Sequence, residues 1–185
     1  MGIAEDLGYH HRPPNAAQRT VQAFGASRPG AWFFSHTLRV MDRWAQRATG
    51  GRHTMPGLLA GLPVLGLTTT GRRSGAARTS YLLAIPYRDS LTLLGTNFGQ
   101  ASTPAWVLNL EADPSATLTF RGRSAPVVSR LATPDEHAEV LACAERVYVG
   151  YRRYQERITD RRLRIFVLEP GPEPAARGSE VPGEG

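Results

Sequence analysis

Six short segments rich in β-branched and aromatic residues, at 64–70, 77–87, 91–96, 116–121, 125–131 and 164–168, constrain this chain more than any other feature. Gly-, Asp- and Arg-bearing turns separate them, with tight turns at Asp89-Ser90 and Gly122-Arg123 that predict hairpins. Six short strands within about a hundred residues lose their unpaired edges most economically by rolling into a small barrel. Two helices flank the strands. In the first, Thr103 stands as the N-cap, Pro104 takes the first helical position and Ala105 to Ala112 follow. The second opens on a capping box between Thr133 and Glu136 and runs to about Tyr148. The fold class is mainly β with flanking helices.

The body spans 62–170, and 185 residues suffice for one domain with a proper core. Residues 1–30, with Pro13, Pro14 and Pro29, read as a loose arm holding one short helix near Asn15 to Phe24. Residues 31–50 read as an amphipathic helix. Phe33, Thr37, Val40, Met41, Trp44 and Ala48 share a face, Arg39, Arg43 and Arg47 line a neighbouring one, and Gly50 and Gly51 end it. The Pro/Gly/Glu-rich stretch 171–185 reads as a disordered tail. Tyr9 and Trp44 carry no specific signal.

All 22 basic residues are arginine, and the net charge is +6. Guanidinium forks grip phosphate and carboxylate, so an anionic partner suits this chain. Nucleic acid is excluded because the arginines are scattered rather than gathered into a stripe with interleaved aromatics. Cys143 is alone, which excludes an intrachain disulfide and a thiolate metal site, and the five His do not cluster as metal ligands. The first eleven residues hold Glu5, Asp6 and two His where a signal peptide would be apolar. No run is long enough to cross a bilayer. The expected location is cytoplasmic. Residues 31–48 leave open a peripheral contact with the inner face of the membrane, a partner chain or the protein's own core, and the chain is expected as a monomer or weak homodimer.

Four stretches carry candidate chemistry. The turn Thr68 to Gly75 brings Arg72, Arg73, Ser74 and free backbone N–H groups to one point, which suits a phosphorylated ligand, though a solvated hairpin has the same pattern. In Gly95-Thr96-Asn97 a glycine permits close backbone approach and two side chains can donate hydrogen bonds; a plain turn after a strand reads alike. On the first helix, Trp106 and Leu110 share a face and Asn109 precedes Leu110, an arrangement that serves a core as readily as a ligand. Tyr148, Tyr151 and Tyr154, three residues apart, are expected on one helical face.

In order, TTTGRRSG, R-x-x-x-L-L, a hairpin, GTNFG, PAWxLNLxAxP and YxxYRRYQ before a final strand ending in LEP resemble the deazaflavin-dependent nitroreductase family over roughly 62–170. The resemblance implies a split β-barrel of the flavin-reductase, FMN-binding type. It implies binding of coenzyme F420 and hydride transfer from its reduced form to a quinone, nitroaromatic or similar acceptor. It also implies that Arg72, Arg73, Ser74 and Arg78 hold the phosphate and tail, with Thr79, Ser80, Tyr81, Leu82 and Leu83 beside the ring. Further contacts implied by resemblance come from Leu94, Gly95, Thr96 and Asn97, and from Ala105, Trp106, Val107, Leu108 and Asn109. Tyr151, flanked by Tyr148 and Tyr154, then lines the acceptor pocket as the catalytic group. Asn97 departs from the lysine frequent in the family, which removes a point charge. An FMN-dependent reductase on the same barrel, and a non-catalytic carrier of a cofactor or lipophilic ligand, are the alternatives.

Overall fold

The computed structural model describes residues 2–11, 15–27, 29–30, 62–148, 150–159 and 161–172. The helix expected at 31–48 and the tail beyond 172 lie outside the described residues. Seven strands, β1 (Val64–Thr70), β2 (Ala77–Leu83), β3 (Ile85–Tyr87), β4 (Ser90–Leu94), β5 (Ser115–Phe120), β6 (Arg123–Leu131) and β7 (Ile165–Pro170), form one antiparallel sheet. The expected single strand over 77–87 is two strands broken at Ala84. Both hairpin turns fall one residue earlier than expected, at Arg88-Asp89 and Arg121-Gly122. Arg88, Arg121 and Gly122 adopt positive φ there, and the pair at 121–122 matches the twist of its strands.

The strand order is β2-β1-β5-β6-β7-β4-β3, so β2 and β3 lie at opposite edges although only Ala84 separates them in sequence. A flat sheet would place those edges roughly 29 Å apart, at about 4.8 Å per strand. One intervening residue reaches at most about 7 Å. The sheet is therefore rolled into a curled half-barrel, and Ala84 is its seam.

Among the described residues, five bounded α-helices accompany the sheet. They are α1 (Ile3–Leu7), α2 (Ala16–Ala26), α3 (Ala105–Ala112), α4 (Pro134–Val147) and α5 (Gly150–Arg157). The capping box of α4 is in place, with the Glu136 N–H donating to Thr133 Oγ1 at 3.3 Å and the Thr133 N–H to Glu136 Oε2 at 2.9 Å. In α3, Pro104 itself is the N-cap and Thr103 makes no cap bond. The Pro104 carbonyl already accepts from the Val107 N–H, so helical bonding begins one residue later than the side-chain pattern suggests.

Strand alternation sorts the apolar residues into two cores. Leu65, Leu67, Leu91, Leu93, Leu118, Phe120, Val127, Phe166 and Leu168 fill the barrel interior with Trp106, Val107 and Leu110 of α3. Ile85, Leu94 and Ile165 face outward and pack with Val140, Ala144 and the tyrosines of α4 and α5. Residues 2–11 are not a loose arm. Ile3 and Leu7, one turn apart on α1, are each 2 % exposed and enter the interior core, followed by Tyr9.

Tyr9 completes the seam. Ala84 leaves the ladder between β2 and β3, and its N–H donates to Tyr9 Oη at 3.0 Å. The phenol reaches the carbonyls of Pro63 at 2.7 Å and Ala84 at 2.8 Å, while His11 Nε2 lies 3.1 Å from the Ala84 oxygen. One phenolic proton serves one carbonyl at a time, so an Nε2–H on His11 satisfies Ala84 when Tyr9 turns to Pro63. Burial pushes the Tyr9 phenol well above its ordinary pKa and, opposed by the Ala84 bond, holds the His11 imidazole below its own.

Candidate active site

Strand β2 organises the predicted site. It pairs with β1 alone, and no strand among the described residues covers its outer edge. The turn before it closes on Gly71, whose carbonyl accepts from the Ser74 and Gly75 N–H groups at 3.1 and 2.7 Å. Arg72, Arg73, Ser74, Arg78 and Thr79 are exposed. None of the three guanidinium groups has an ion-pair or hydrogen-bond partner among the described residues. Such a cluster of uncompensated cations repels itself and favours an anion. Farther along the strand Ser80, Tyr81, Leu82 and Leu83 are half-buried.

Asn109 anchors that turn to α3. Its Oδ1 accepts from the Arg72 N–H at 3.2 Å and its amide donates to Thr69 Oγ1 at 3.0 Å. The side chain is 6 % exposed, so its action on the turn is one of support. Trp106 is also interior, tilted against Phe166 with ring centroids 5.9 Å apart, and Val107 is fully buried. Exposed Ala105 and half-buried Leu108 form the accessible side of α3. Glycine at position 95 answers a packing need, because a Cβ there would stand 2.8 Å from Val107 Cγ2.

The loop after Leu94 is strained. Asn97 and Phe98 both adopt left-handed backbone, with φ of 47° and 56°, at a cost on the order of 1 kcal/mol or more each. The Asn97 amide donates to the Ser102 carbonyl and hydroxyl at 3.0 and 2.9 Å. Arg161 grips the loop from one side: Nη1 donates to the Gly95 carbonyl at 2.9 Å, Nη2 to Thr96 at 2.8 Å and Nε to Gln100 at 3.2 Å. The sequence offers no means to single out Arg161 within the run Arg161-Arg162-Leu163-Arg164, because the choice of which guanidinium turns inward follows from the chain path.

The three tyrosines do come together, but not on one helix. α4 ends at Tyr148, which is extended (φ −151°), and α5 starts again at Gly150. Gly150 is what lets the turn close, since any Cβ there would collide with the Tyr148 ring. Ring centroids lie 5.8 Å apart for Tyr148 and Tyr151, 6.0 Å for Tyr148 and Tyr154, and 6.5 Å for Tyr151 and Tyr154. The hydroxyls of Tyr148 and Tyr154 are 3.1 Å apart, and Tyr148 also donates to the Gln22 carbonyl of α2 at 3.3 Å. Tyr151 donates to the Leu83 carbonyl at 3.4 Å, a long bond at the seam end of β2. Burial raises all three phenol pKa values, so the hydroxyls stay protonated across the neutral range.

One strand thus carries free cations at one end and a buried tyrosine cluster at the other. Arg78 and Leu83 are five positions apart, about 17 Å of extended chain. A ligand with an anionic tail and a flat, apolar head matches both ends. No helix among the described residues is long and apolar enough to cross a membrane.

The sequence model of the F420H(2)-dependent quinone reductase family matches residues 37–170. The Mycobacterium tuberculosis protein Rv3178, named for the same activity, is 28% identical over 109 residues, which cover 59% of this chain and 91% of that protein. The solved structure of an F420-H2 dependent reductase, FDR-A, is 26% identical with a TM-score of 0.53, covering 58% of this chain and 94% of its own. A second solved structure, a domain-swapped dimer, shares the fold at 24% identity and a TM-score of 0.54 over 72% of this chain and 98% of that one. The curled seven-stranded sheet, the cationic turn and the span of these matches lead to one conclusion: the chain belongs to the F420H(2)-dependent quinone reductase family, an oxidoreductase family whose cofactor is coenzyme F420.

Proposed function

We propose that this protein transfers a hydride from reduced coenzyme F420 to a quinone, at a site laid along β2. The supporting observation is the polarity along that strand: Arg72 and Arg73 in the turn before it and Arg78 near its start have no partner among the described residues, and the Tyr151 hydroxyl bonds its last carbonyl. When bound, the reduced coenzyme supplies the hydride. Arg72, Arg73 and Arg78 fit its phosphate and glutamate tail, because each is exposed, permanently charged and uncommitted among the described residues. Ser80 to Leu83 and the accessible Ala105–Leu108 side of α3 are placed to flank the ring.

Tyr151 is assigned to the acceptor. Its bond to Leu83 is long enough to be exchanged for one to an acceptor oxygen, and burial keeps its proton in place as charge grows on that oxygen. Tyr148 and Tyr154 fix its position by ring packing and bond to each other. The family cofactor sets FMN aside. A quinone is the favoured acceptor class, and a nitroaromatic is its competitor for the same donor.

The test begins with fluorescence titration of the protein by oxidised F420 and, in parallel, by FMN. Turnover of reduced F420 is then followed with a naphthoquinone and with a nitroaromatic. Tight binding of F420 alone and faster turnover of the quinone are expected; no F420 binding, or binding without turnover of either acceptor, sinks the proposal. Tyr151→Phe is expected to lower kcat about a hundredfold with cofactor affinity little changed. A carrier has no rate to lose.

A further inference from the structure

Arg161 is a half-buried cation with three carbonyl partners and no carboxylate within ion-pair distance among the described residues. Guanidinium groups that serve a fold alone are usually neutralised by an acid when water is partly excluded. This one is not. Burial, and then the charge of Arg164, lower its pKa.

The peptide geometry of the loop gives that charge a direction. In a trans peptide the C=O and N–H vectors are antiparallel. The Thr96 oxygen accepts from Arg161 and from the Gly99 N–H at 2.9 Å, and the Asn97 oxygen accepts from the Gln100 N–H at 3.0 Å. The Asn97 N–H, in the same peptide unit as the Thr96 carbonyl, therefore points away from Arg161, and the Phe98 N–H points away from the Gln100 N–H. Neither has a partner among the described residues. They are successive donors on a backbone that passes from right-handed Thr96 to positive φ at Asn97, the arrangement that forms an anion-binding concavity. The loop also touches the tyrosine cluster, with the Phe98 and Tyr154 rings edge to face at 6.0 Å.

We propose that Arg161 is a positioning residue for cofactor binding: it clamps the Gly95, Thr96 and Gln100 carbonyls on one side of the loop, turns the Asn97 N–H outward beside that of Phe98, and places a positive charge with no acidic partner among the described residues behind an anionic group held there. The inference rests on the F420 reading of the site. It assigns Arg161 no contact with the cofactor.

The experiment compares the unaltered protein with Arg161→Gln and Arg161→Lys. Oxidised F420 is titrated by fluorescence over a range of salt concentrations, with thermal denaturation run on the same samples. Arg161→Gln is expected to weaken binding about tenfold and to make the affinity less sensitive to salt, while Arg161→Lys retains the salt sensitivity of the parent and recovers part of the affinity. Unchanged affinity and salt dependence in Arg161→Gln would overturn the assignment. Equal losses in both variants, tracking only their thermal stability, would overturn it as well. If Arg161→Gln does not fold, the lysine variant decides, a weaker salt response counting against the proposal and a parental one for it. Absence of F420 binding by the unaltered protein is the separate failure of the β2 reading.

Discussion

The two ends of β2 are built on opposite principles. At the seam end every polar group is matched: Ala84 is bonded through both backbone groups, Leu83 accepts from Tyr151, and Tyr9, 4 % exposed, joins Ala84 to Pro63. At the turn end the Arg72, Arg73 and Arg78 guanidinium groups stand in water without partners among the described residues. Saturated hydrogen bonding marks the region that the fold itself requires. Unsaturated charge marks the region reserved for something the chain does not contain.

Breaking the saturated end should have the larger effect. Tyr9→Ala removes a ring from the barrel core and leaves Ala84 unsatisfied, with an expected loss of about 4 kcal/mol in urea unfolding. Tyr9→Phe keeps the ring and isolates the hydroxyl, for about 2 kcal/mol. A phenylalanine variant as stable as the parent would show that the seam does not depend on the phenol. The unsaturated end should respond differently. Joint replacement of Arg72 and Arg73 by Gln is expected to weaken F420 binding by about 3 kcal/mol, roughly a hundredfold, with thermal stability unchanged. A matching loss of stability would erase the contrast between the ends.

Alkaline titration sharpens the comparison with the smallest effect. Tyr148, Tyr151 and Tyr154 have raised folded-state pKa values, whereas an unfolded tyrosine ionises near pH 10. Their contribution is thus fully present below about pH 10 and declines as pH rises from there toward the folded values, by up to about 1.4 kcal/mol per tyrosine near pH 11. Urea midpoints measured from about pH 8 to pH 11 check this, and a flat profile would mean that the cluster is solvated.

The strands were legible in the sequence because β-branched runs between turn residues leave few alternatives, and β1 matched to the residue. The break at Ala84 was not, since the apolar run Tyr81-Leu82-Leu83-Ala84-Ile85 looks the same whether it continues in one strand or crosses a seam. The hairpin turns were misplaced by one because arginine, not glycine or asparagine, takes the positive φ at 88 and 121. Docking of residues 2–11 had a local signal, Ile3 and Leu7 one turn apart with Gly8 as a left-handed stop, but charged residues and two histidines around it resembled a solvated arm. Motif order located the arginines of the turn and the tyrosines. It could not tell which neighbours are support, such as Asn109, or that Tyr148 is the extended C-cap of α4 while Tyr151 and Tyr154 lie on α5.

The place of β7 has a consequence for how the protein is made. The last strand in sequence is interior in the sheet, hydrogen-bonded to β6 on one side and β4 on the other. Before it arrives, no ladder joins the four-stranded piece β2-β1-β5-β6 to the β3–β4 hairpin, which are linked only by chain connections at Ala84 and through α3. A ribosome translating this message therefore releases two incomplete sheets with open edges, and barrel closure must wait for Ile165–Pro170. Synthesis must pass Pro170 before the pairings of β7 with β6 and β4 can form, which favours all-at-once closure over strand-by-strand growth.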